Sequence, residues 1–141
     1  MDGALLGTPG FMAPEQAKGR TADARTDVFG LGATLYGLLE RRAPYEGGTT
    51  EDILNRAALA LPPTVDAAKG DLAVIVSKAM EKEREDRYAT AAGLADDLDR
   101  YLKGEPILAR PLAPISRLLL RARRKPLLTG AALFALVLLA G

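Results

Sequence analysis

The chain has 141 residues, with 19 Lys and Arg against 18 Asp and Glu, and it contains neither Cys nor His. This length accommodates one modest domain together with a tail. The missing residue types exclude a disulfide framework, a thiolate nucleophile, a Cys-based metal site and an imidazole base, which removes most hydrolase and metalloenzyme classes.

Charge divides the chain into three parts. Residues 1–104 hold 13 basic and 17 acidic side chains, residues 105–125 hold 6 and 1, and residues 126–141 hold none. An acidic body, a basic segment and an apolar end are typical of a globular domain joined to a membrane segment.

Helical periodicity predicts an all-helical body. Residues 1–14 are rich in Gly and Pro, which predicts an extended loop. A Thr-x-x-Asp start signal precedes the third helix at Thr49. The predicted helices span residues 15–18, 26–40, 49–59 and 71–82, with a last one from about Thr90 that includes Leu102. No alternating pattern of a strand is present.

The segment from 26 to 40 is predicted to be a buried helix, because apolar residues occupy much of its circumference. Gly30-Leu31-Gly32 within it hints at a dinucleotide-binding fingerprint. Position 35 is Leu, however, and no predicted strand precedes the glycines. Close packing against another helix is therefore the favoured interpretation.

The last helix of the body has an apolar stripe and an acidic side. The stripe consists of Leu94, Leu98, Tyr101 and Leu102. The acidic side consists of Asp96, Asp97 and Asp99. Helical spacing spreads these aspartates over a face that we expect to be solvated, rather than gathering them into a cation site.

The tail is predicted to meet a membrane. Three prolines make a stiff connector, and residues 115–122 then resume helical spacing with arginines on the other faces, as in helices at anionic membrane surfaces. After Arg123-Arg124-Lys125, the apolar run from Leu127 to Ala140 covers about two thirds of a hydrocarbon layer of roughly 30 Å. We interpret it as a truncated transmembrane helix. The adjoining apolar run favours membrane flanking over nucleic-acid binding for the basic residues.

The most specific motif is Gly-Thr-Pro-Gly-Phe-Met-Ala-Pro-Glu-Gln at residues 7–16. It resembles the end of the activation segment in eukaryotic-like bacterial serine/threonine protein kinases, whose closing signature is Ala-Pro-Glu. Further matches follow in the family's order at residues 27–32, 42–45, 78–80 and 86–88. The resemblance covers about residues 3–103, and the connector with its apolar helix is similar to receptor-like, membrane-anchored members.

This resemblance implies an all-α fold, the carboxy-terminal large lobe of a kinase over residues 1–104. A proline-containing basic juxtamembrane segment would follow over residues 105–125, and a truncated transmembrane helix over residues 126–141. The parent activity would be ATP-dependent phosphorylation of protein Ser or Thr. The expected partners are a protein substrate or other protein and the membrane, without nucleic acid, and the kinase-like body would face the cytoplasm.

The resemblance also assigns roles to four residues. Thr8 would lie in the loop that receives the substrate and would hydrogen-bond the catalytic aspartate, although a turn threonine is the alternative. Glu15 would anchor the activation segment through a buried ion pair with Arg87, which by its sequence context alone would be a solvated charge. Asp27 would accept hydrogen bonds from the backbone of the catalytic loop.

The chain departs from the family in one decisive respect. It contains no glycine-rich phosphate loop, strand lysine, catalytic loop or Asp-Phe-Gly motif. We therefore assign no catalytic, cofactor-binding or metal-binding residue, since ATP and Mg²⁺ belong to the parent family. The chain is expected to be inactive alone. Whether it forms part of an active kinase is left open by the sequence. The rival hypothesis is a membrane-anchored, non-catalytic helical module that binds a protein partner.

Overall fold

The computed structural model describes residues 8–59, 65–68 and 70–109. Its helices are α1 (Pro14–Ala17), α2 (Ala24–Glu40), α3 (Thr50–Leu59), α4 (Asp71–Ala79) and α5 (Ala91–Leu102), with 3-10 turns at Pro9–Phe11 and Arg84–Asp86. The described residues contain no strand, so the all-helical prediction is confirmed for them. The predicted basic segment beyond residue 109 and the predicted membrane helix lie outside the described residues.

Side-chain caps set where α2 and α3 begin. Asp23 Oδ1 accepts hydrogen bonds from the backbone N–H groups of Arg25 at 2.9 Å and Thr26 at 3.0 Å, which starts α2 two residues earlier than predicted. At the predicted start of α3, the Thr49 N–H donates to Asp52 Oδ2 at 2.8 Å and the Asp52 N–H donates to Thr49 Oγ1 at 3.2 Å. Such reciprocal bonds satisfy amides that the helix itself leaves unpaired.

Helix α2 lies between two groups of buried side chains. One of its faces contributes Phe29, Ala33 and Tyr36 to a cluster with Val76 and Met80. Another contributes Val28 to a second cluster. The other buried members of that cluster are Ile75, Ala79, Tyr88, Leu94, Ile107 and Ala109. The core of the body is thus built around α2.

The Gly-Leu-Gly sequence in α2 is explained by close packing, as favoured above. A Cβ on Gly32 would lie 2.7 Å from Ala79 Cβ and 3.0 Å from Met80 Cγ, whereas a Cβ on Gly30 would meet nothing within 4 Å. Gly32 therefore allows α2 to approach α4 more closely than any larger residue would permit.

The prediction that α2 is buried holds for only part of its surface. Leu31 is 46% exposed and Leu38 is 72% exposed, and Asp27 and Thr34 on the same side are also exposed. These positions recur at the helical spacing of three and four residues, so one continuous face of α2 is open among the described residues.

The two glycines provide a matched test of this packing. Gly32→Ala should lower the free energy of unfolding by about 1–3 kcal/mol, because the new methyl group overlaps Ala79 and forces the helices apart. Gly30→Ala should instead raise it by up to about 1 kcal/mol through better helix propensity. Urea unfolding followed by circular dichroism would measure both. Equal effects of the two substitutions would contradict the packing role.

The expectation that Asp97 is solvated is wrong. Its side chain is fully buried, and its carboxylate accepts hydrogen bonds from the Tyr88 hydroxyl at 2.9 Å and from Arg100 at 2.9 Å. The backbone N–H groups of Leu108 at 2.8 Å and Ala109 at 2.9 Å also donate to it. Asp97 follows Leu94 by three residues and precedes Leu98 by one, so it shares the core-facing side of α5.

The Asp97 contacts hold the chain that follows α5 against the body. Ile107 and Ala109 are buried beside Tyr88 and Leu94, beyond the boundary at residue 104 that composition suggested. The last two members of the predicted stripe, Tyr101 and Leu102, are instead exposed by 39% and 80%. The returning backbone therefore completes the core where the end of α5 does not.

Burial raises the pKa of Asp97, but its hydrogen bonds have a larger opposite effect. The bonds from Leu108, Tyr88, Arg100 and Ala109 bring the net pKa below that of an ordinary aspartate. A depressed carboxyl pKa stabilises the folded state fully above the unfolded pKa of about 3.9, and this contribution is lost as pH falls through the folded pKa.

Asp97→Asn should therefore destabilise the chain by about 1–3 kcal/mol at neutral pH, because its amide N–H₂ would face a backbone donor. The difference from the parent chain should begin to shrink below about pH 4, where the carboxyl of the unfolded chain becomes protonated, and should shrink further as pH falls through the lower pKa of folded Asp97. Denaturant unfolding over a pH series would measure it, with Asp96→Asn on the exposed side of α5 as the control. A difference that does not change with pH would contradict the assignment.

Candidate functional site

The activation-segment-like motif forms a 3-10 turn followed by α1. The Ala13 N–H donates to Gln16 Oε1 at 3.1 Å and closes the start of α1. The Tyr45 N–H donates to the Gly10 carbonyl at 3.2 Å, which joins the motif to the turn after α2. A Cβ on Gly10 would lie 2.6 Å from the Tyr45 carbonyl oxygen, so this close approach requires glycine.

Glu15 and Arg87 form a buried ion pair across 72 positions of sequence. Arg87 Nη1 lies 2.6 Å from Glu15 Oε1 and Arg87 Nη2 lies 3.0 Å from Oε2, so the guanidinium binds the carboxylate with two parallel hydrogen bonds. Both residues are almost completely buried, at 4% and 3% exposure. Two-point geometry of this kind is both the strongest and the most directional ion pair that side chains form.

The remaining donors of Arg87 bind backbone carbonyls. Its Nε donates to the Glu81 carbonyl at 2.7 Å, Nη1 to that of Arg25 at 3.0 Å, and Nη2 to that of Lys82 at 3.2 Å. The guanidinium also lies over the Phe29 ring, 4.9 Å from its centroid. The buried cation is therefore satisfied on every edge and on one face.

Glu15 is held in its charged form. The Thr26 hydroxyl donates to Glu15 Oε1 at 2.8 Å in addition to the two bonds from Arg87. Burial raises the pKa of Glu15, but the hydrogen bonds and the positive charge of Arg87 lower it more, so its net pKa lies below the ordinary value. Thr26 was not singled out by the sequence, and only the start of α2 at Asp23 places it here.

A second ion pair, which sequence reasoning missed, lies at the edge of the first. Arg84 Nη1 lies 2.8 Å from Asp23 Oδ2, and Arg84 Nη2 donates to the Thr21 carbonyl at 3.0 Å. The hydrogen bond from Arg84, together with those from Thr26 and Arg25, lowers the pKa of Asp23 to about 2. The pair spans 61 residues, and the mixed charges of residues 81–87 gave no sign of the partner.

Thr8 and Asp27 line one open cavity of about 480 Å³. Both side chains are exposed, and the Thr8 carbonyl accepts the Phe11 N–H at 3.0 Å. Leu31 and Thr34, on the exposed face of α2, line the same cavity. The structure thus places two residues that are 19 positions apart on one surface, next to the segment that Glu15 and Arg87 hold.

The described residues contain no group of three or more acidic, His or Cys side chains that could hold a metal ion. Within residues 8–59, 65–68 and 70–109, no helix is both long and apolar enough to span a membrane.

The activation-segment-like motif, anchored by a buried Glu–Arg pair on a helical body, is similar to part of a bacterial serine/threonine protein kinase. Comparison with known proteins supports that similarity. The chain is 38% identical over 133 residues to serine/threonine-protein kinase PknB of Mycobacterium tuberculosis strain H37Rv, which covers 92% of the chain and 20% of the relative. The Mycobacterium leprae PknB is 36% identical over 133 residues, with the same coverage.

A third relative, PknB of Mycolicibacterium smegmatis, is 35% identical over 106 residues, or 72% of this chain and 17% of its own length. The chain thus spans about a fifth of the length of the curated kinases it matches. No protein-family model matches it. The similarity supports a kinase-like segment.

The buried pair predicts a strong energetic coupling between distant parts of the chain. Glu15→Ala or Arg87→Ala alone should destabilise by about 3–5 kcal/mol, because each leaves the other charge buried without a partner. The double variant should lose less than the sum of the two, with a coupling of up to about 3 kcal/mol. Chemical denaturation of the four proteins would measure it.

Arg84→Ala is the control for this cycle, since Arg84 lies 3.6 Å from Glu15 but remains partly exposed. We expect it to cause a much smaller loss of stability than Arg87→Ala, because solvent screens an exposed pair. Additive losses in the cycle, or equal losses for the two arginines, would contradict the assigned pairing.

Proposed function

We propose that this chain supplies the end of the activation segment and the helical large lobe of a membrane-anchored kinase that phosphorylates protein Ser or Thr. The observation that carries the proposal is the shared cavity of Thr8 and Asp27. In the proposed enzyme, the Thr8 hydroxyl bonds the catalytic aspartate at the substrate loop. Asp27 accepts hydrogen bonds from the catalytic-loop backbone, and Glu15 with Arg87 holds the segment that carries Thr8.

The exposed state of these groups supports their proposed roles. The Asp27 carboxylate lies at the surface with Leu31 beside it, so both a set of acceptor oxygens and an apolar contact are available on one face. A catalytic loop that covers this face would bring backbone N–H groups to Asp27 and exclude water from Leu31. Both interactions favour docking, since the charge-assisted hydrogen bonds replace those to water.

The 141-residue chain alone is proposed to be inactive. Phosphoryl transfer moves the terminal phosphoryl group of ATP to the substrate oxygen, and it depends on positioning together with stabilisation of charge by Mg²⁺ and Lys. The sequence has no Asp-Phe-Gly motif, and its described residues offer no group of metal-ligating side chains. The described side chains therefore do not fit ATP or Mg²⁺.

The longest in-frame product of the gene should transfer labelled phosphate from ATP to Ser or Thr of a protein substrate, whereas the 141-residue chain should transfer none. In the active product, Thr8→Ala and Asp27→Ala should each lower kcat by up to about 10²-fold, because each misplaces the reacting groups. Thr34→Ala is the matched control, since Thr34 lines the same cavity but its hydroxyl donates to the Gly30 carbonyl at 2.8 Å.

Two results would contradict the proposal. Equal losses for Thr8→Ala and Thr34→Ala would show that Thr8 has no special role at the cavity. An absence of phosphate transfer by every in-frame product would favour the non-catalytic helical module that binds a protein partner.

Membrane attachment is proposed from the tail. The matched 92% of the chain cannot be contained within residues 1–109, so the similarity to the M. tuberculosis kinase continues into the basic and apolar tail. Arg121, Arg123, Arg124 and Lys125 would keep the body on the cytoplasmic side, because positive flanks of a membrane helix stay inside. Protease treatment of intact cells should leave the body uncut, and cleavage of the body from outside would contradict this topology.

A further inference from the structure

A second cavity, of about 660 Å³, lies between the end of α1 and the turn that follows α4. Its volume falls within the roughly 300–1,000 Å³ of ligand pockets, although its lining differs from the usual apolar one. Every described lining side chain except that of Pro14 is charged. A ligand for this cavity would therefore be polar and charged.

The walls of the cavity are fixed to each other by hydrogen bonds. Arg25 Nη1 donates to the Arg84 carbonyl at 3.0 Å, and Arg84 Nη2 donates to the Thr21 carbonyl at 3.0 Å. The buried ion pair of Glu15 and Arg87 also links α1 to the segment after α4. The cavity is thus formed before any ligand arrives, which lowers the entropic cost of binding.

Two of the acidic groups in the cavity wall are already neutralised. Glu15 is bound twice by Arg87 and once by Thr26, and Asp23 is bound by Arg84 and by two backbone N–H groups. The positive charge of Arg84 is offset by the same ion pair with Asp23. These residues contribute structure to the walls and little net charge to the space between them.

Three cations of the lining remain available. Lys18 and Arg20 lie on one wall and Lys82 on the other; all three are exposed, and none has a side-chain partner among the residues that the structure describes. Glu83 and Glu85 oppose them from the second wall. The described lining as a whole holds five basic and four acidic side chains, so it carries a positive excess, which attracts an anionic ligand.

We propose that this cavity binds an acidic peptide segment of a partner protein, with Lys18, Arg20 and Lys82 contacting its negative side chains. A concave site with fixed walls on both sides suits a peptide better than the flat surface of a membrane. A phosphorylated side chain, with a charge of about −1.5 to −2 near neutral pH, would be the strongest single contact. The site is separate from the cavity of Thr8 and Asp27, so it does not depend on phosphoryl transfer.

The test is fluorescence anisotropy of the full 141-residue chain with a labelled, glutamate-rich peptide that carries one phosphoserine, without nucleotide. Lys18→Ala/Lys82→Ala should weaken binding by about tenfold or more, and the affinity should fall as salt is raised. The matched control is Arg42→Ala/Lys103→Ala, which removes the same two charges elsewhere on the surface and should change binding by less than about twofold.

A charge swap makes the test stricter. Lys18→Glu/Lys82→Glu should lose the acidic peptide and gain binding of a lysine-rich peptide of the same length. Equal weakening by the cavity and control variants would overturn the proposal, because it would show only general charge attraction. Inorganic phosphate that binds while the peptide does not would also overturn it. The same conclusion would follow if phosphatidylserine vesicles bound through Lys18 and Lys82 while the peptide did not bind.

Discussion

The buried pair of Glu15 and Arg87 is the interaction on which the rest of the site depends. Arg87 bonds the carboxylate that opens α1, the Arg25 carbonyl at the start of α2 and the Glu81 carbonyl after α4. One guanidinium therefore fixes three segments that are far apart in sequence. Both described cavities are bordered by these segments, so their shapes follow from this one set of hydrogen bonds.

A second buried carboxylate, Asp97, solves the same physical problem with different donors. Glu15 is neutralised by a cation that is itself buried, whereas Asp97 relies on two backbone N–H groups, a tyrosine hydroxyl and the partly exposed Arg100. Both carboxylates remain charged because their donors offset the cost of burial. Hydrophobic contact alone does not specify the path of a loop. A buried carboxylate does constrain it, because the backbone must run where its N–H groups can donate to the carboxylate.

The sequence predicts the helices well because local patterns encode them. The Thr49 cap, the periodicity of α2 and the start near Thr90 are all properties of neighbouring residues. The end of α4 was predicted at residue 82 but falls at Ala79, because the chain turns there and presents the carbonyls of Glu81 and Lys82 to Arg87. That constraint comes from a tertiary partner, which periodicity does not contain.

In the candidate site, too, the sequence predicts some features, whereas others depend on tertiary partners. The Ala-Pro-Glu resemblance identified Glu15 and Arg87 as partners, and the structure places them in contact. The pair of Arg84 and Asp23 and the burial of Asp97 carried no such signature, since a charged residue in a mixed-charge segment resembles a solvated one. The position of Asp97 beside the apolar stripe of α5 could have indicated its burial. The neighbouring aspartates Asp96 and Asp99 favoured a solvated face instead.

The open face of α2 limits what can cover it. Its exposed positions alternate in character, with Asp27 and Thr34 polar and Leu31 and Leu38 apolar. An apolar surface alone would leave the Asp27 carboxylate buried without donors, at a cost of several kcal/mol. A polar surface alone would gain nothing from Leu31. Any segment that covers this face must therefore bring hydrogen-bond donors to Asp27 and apolar groups to Leu31, which are the requirements that a backbone loop with apolar flanks fulfils.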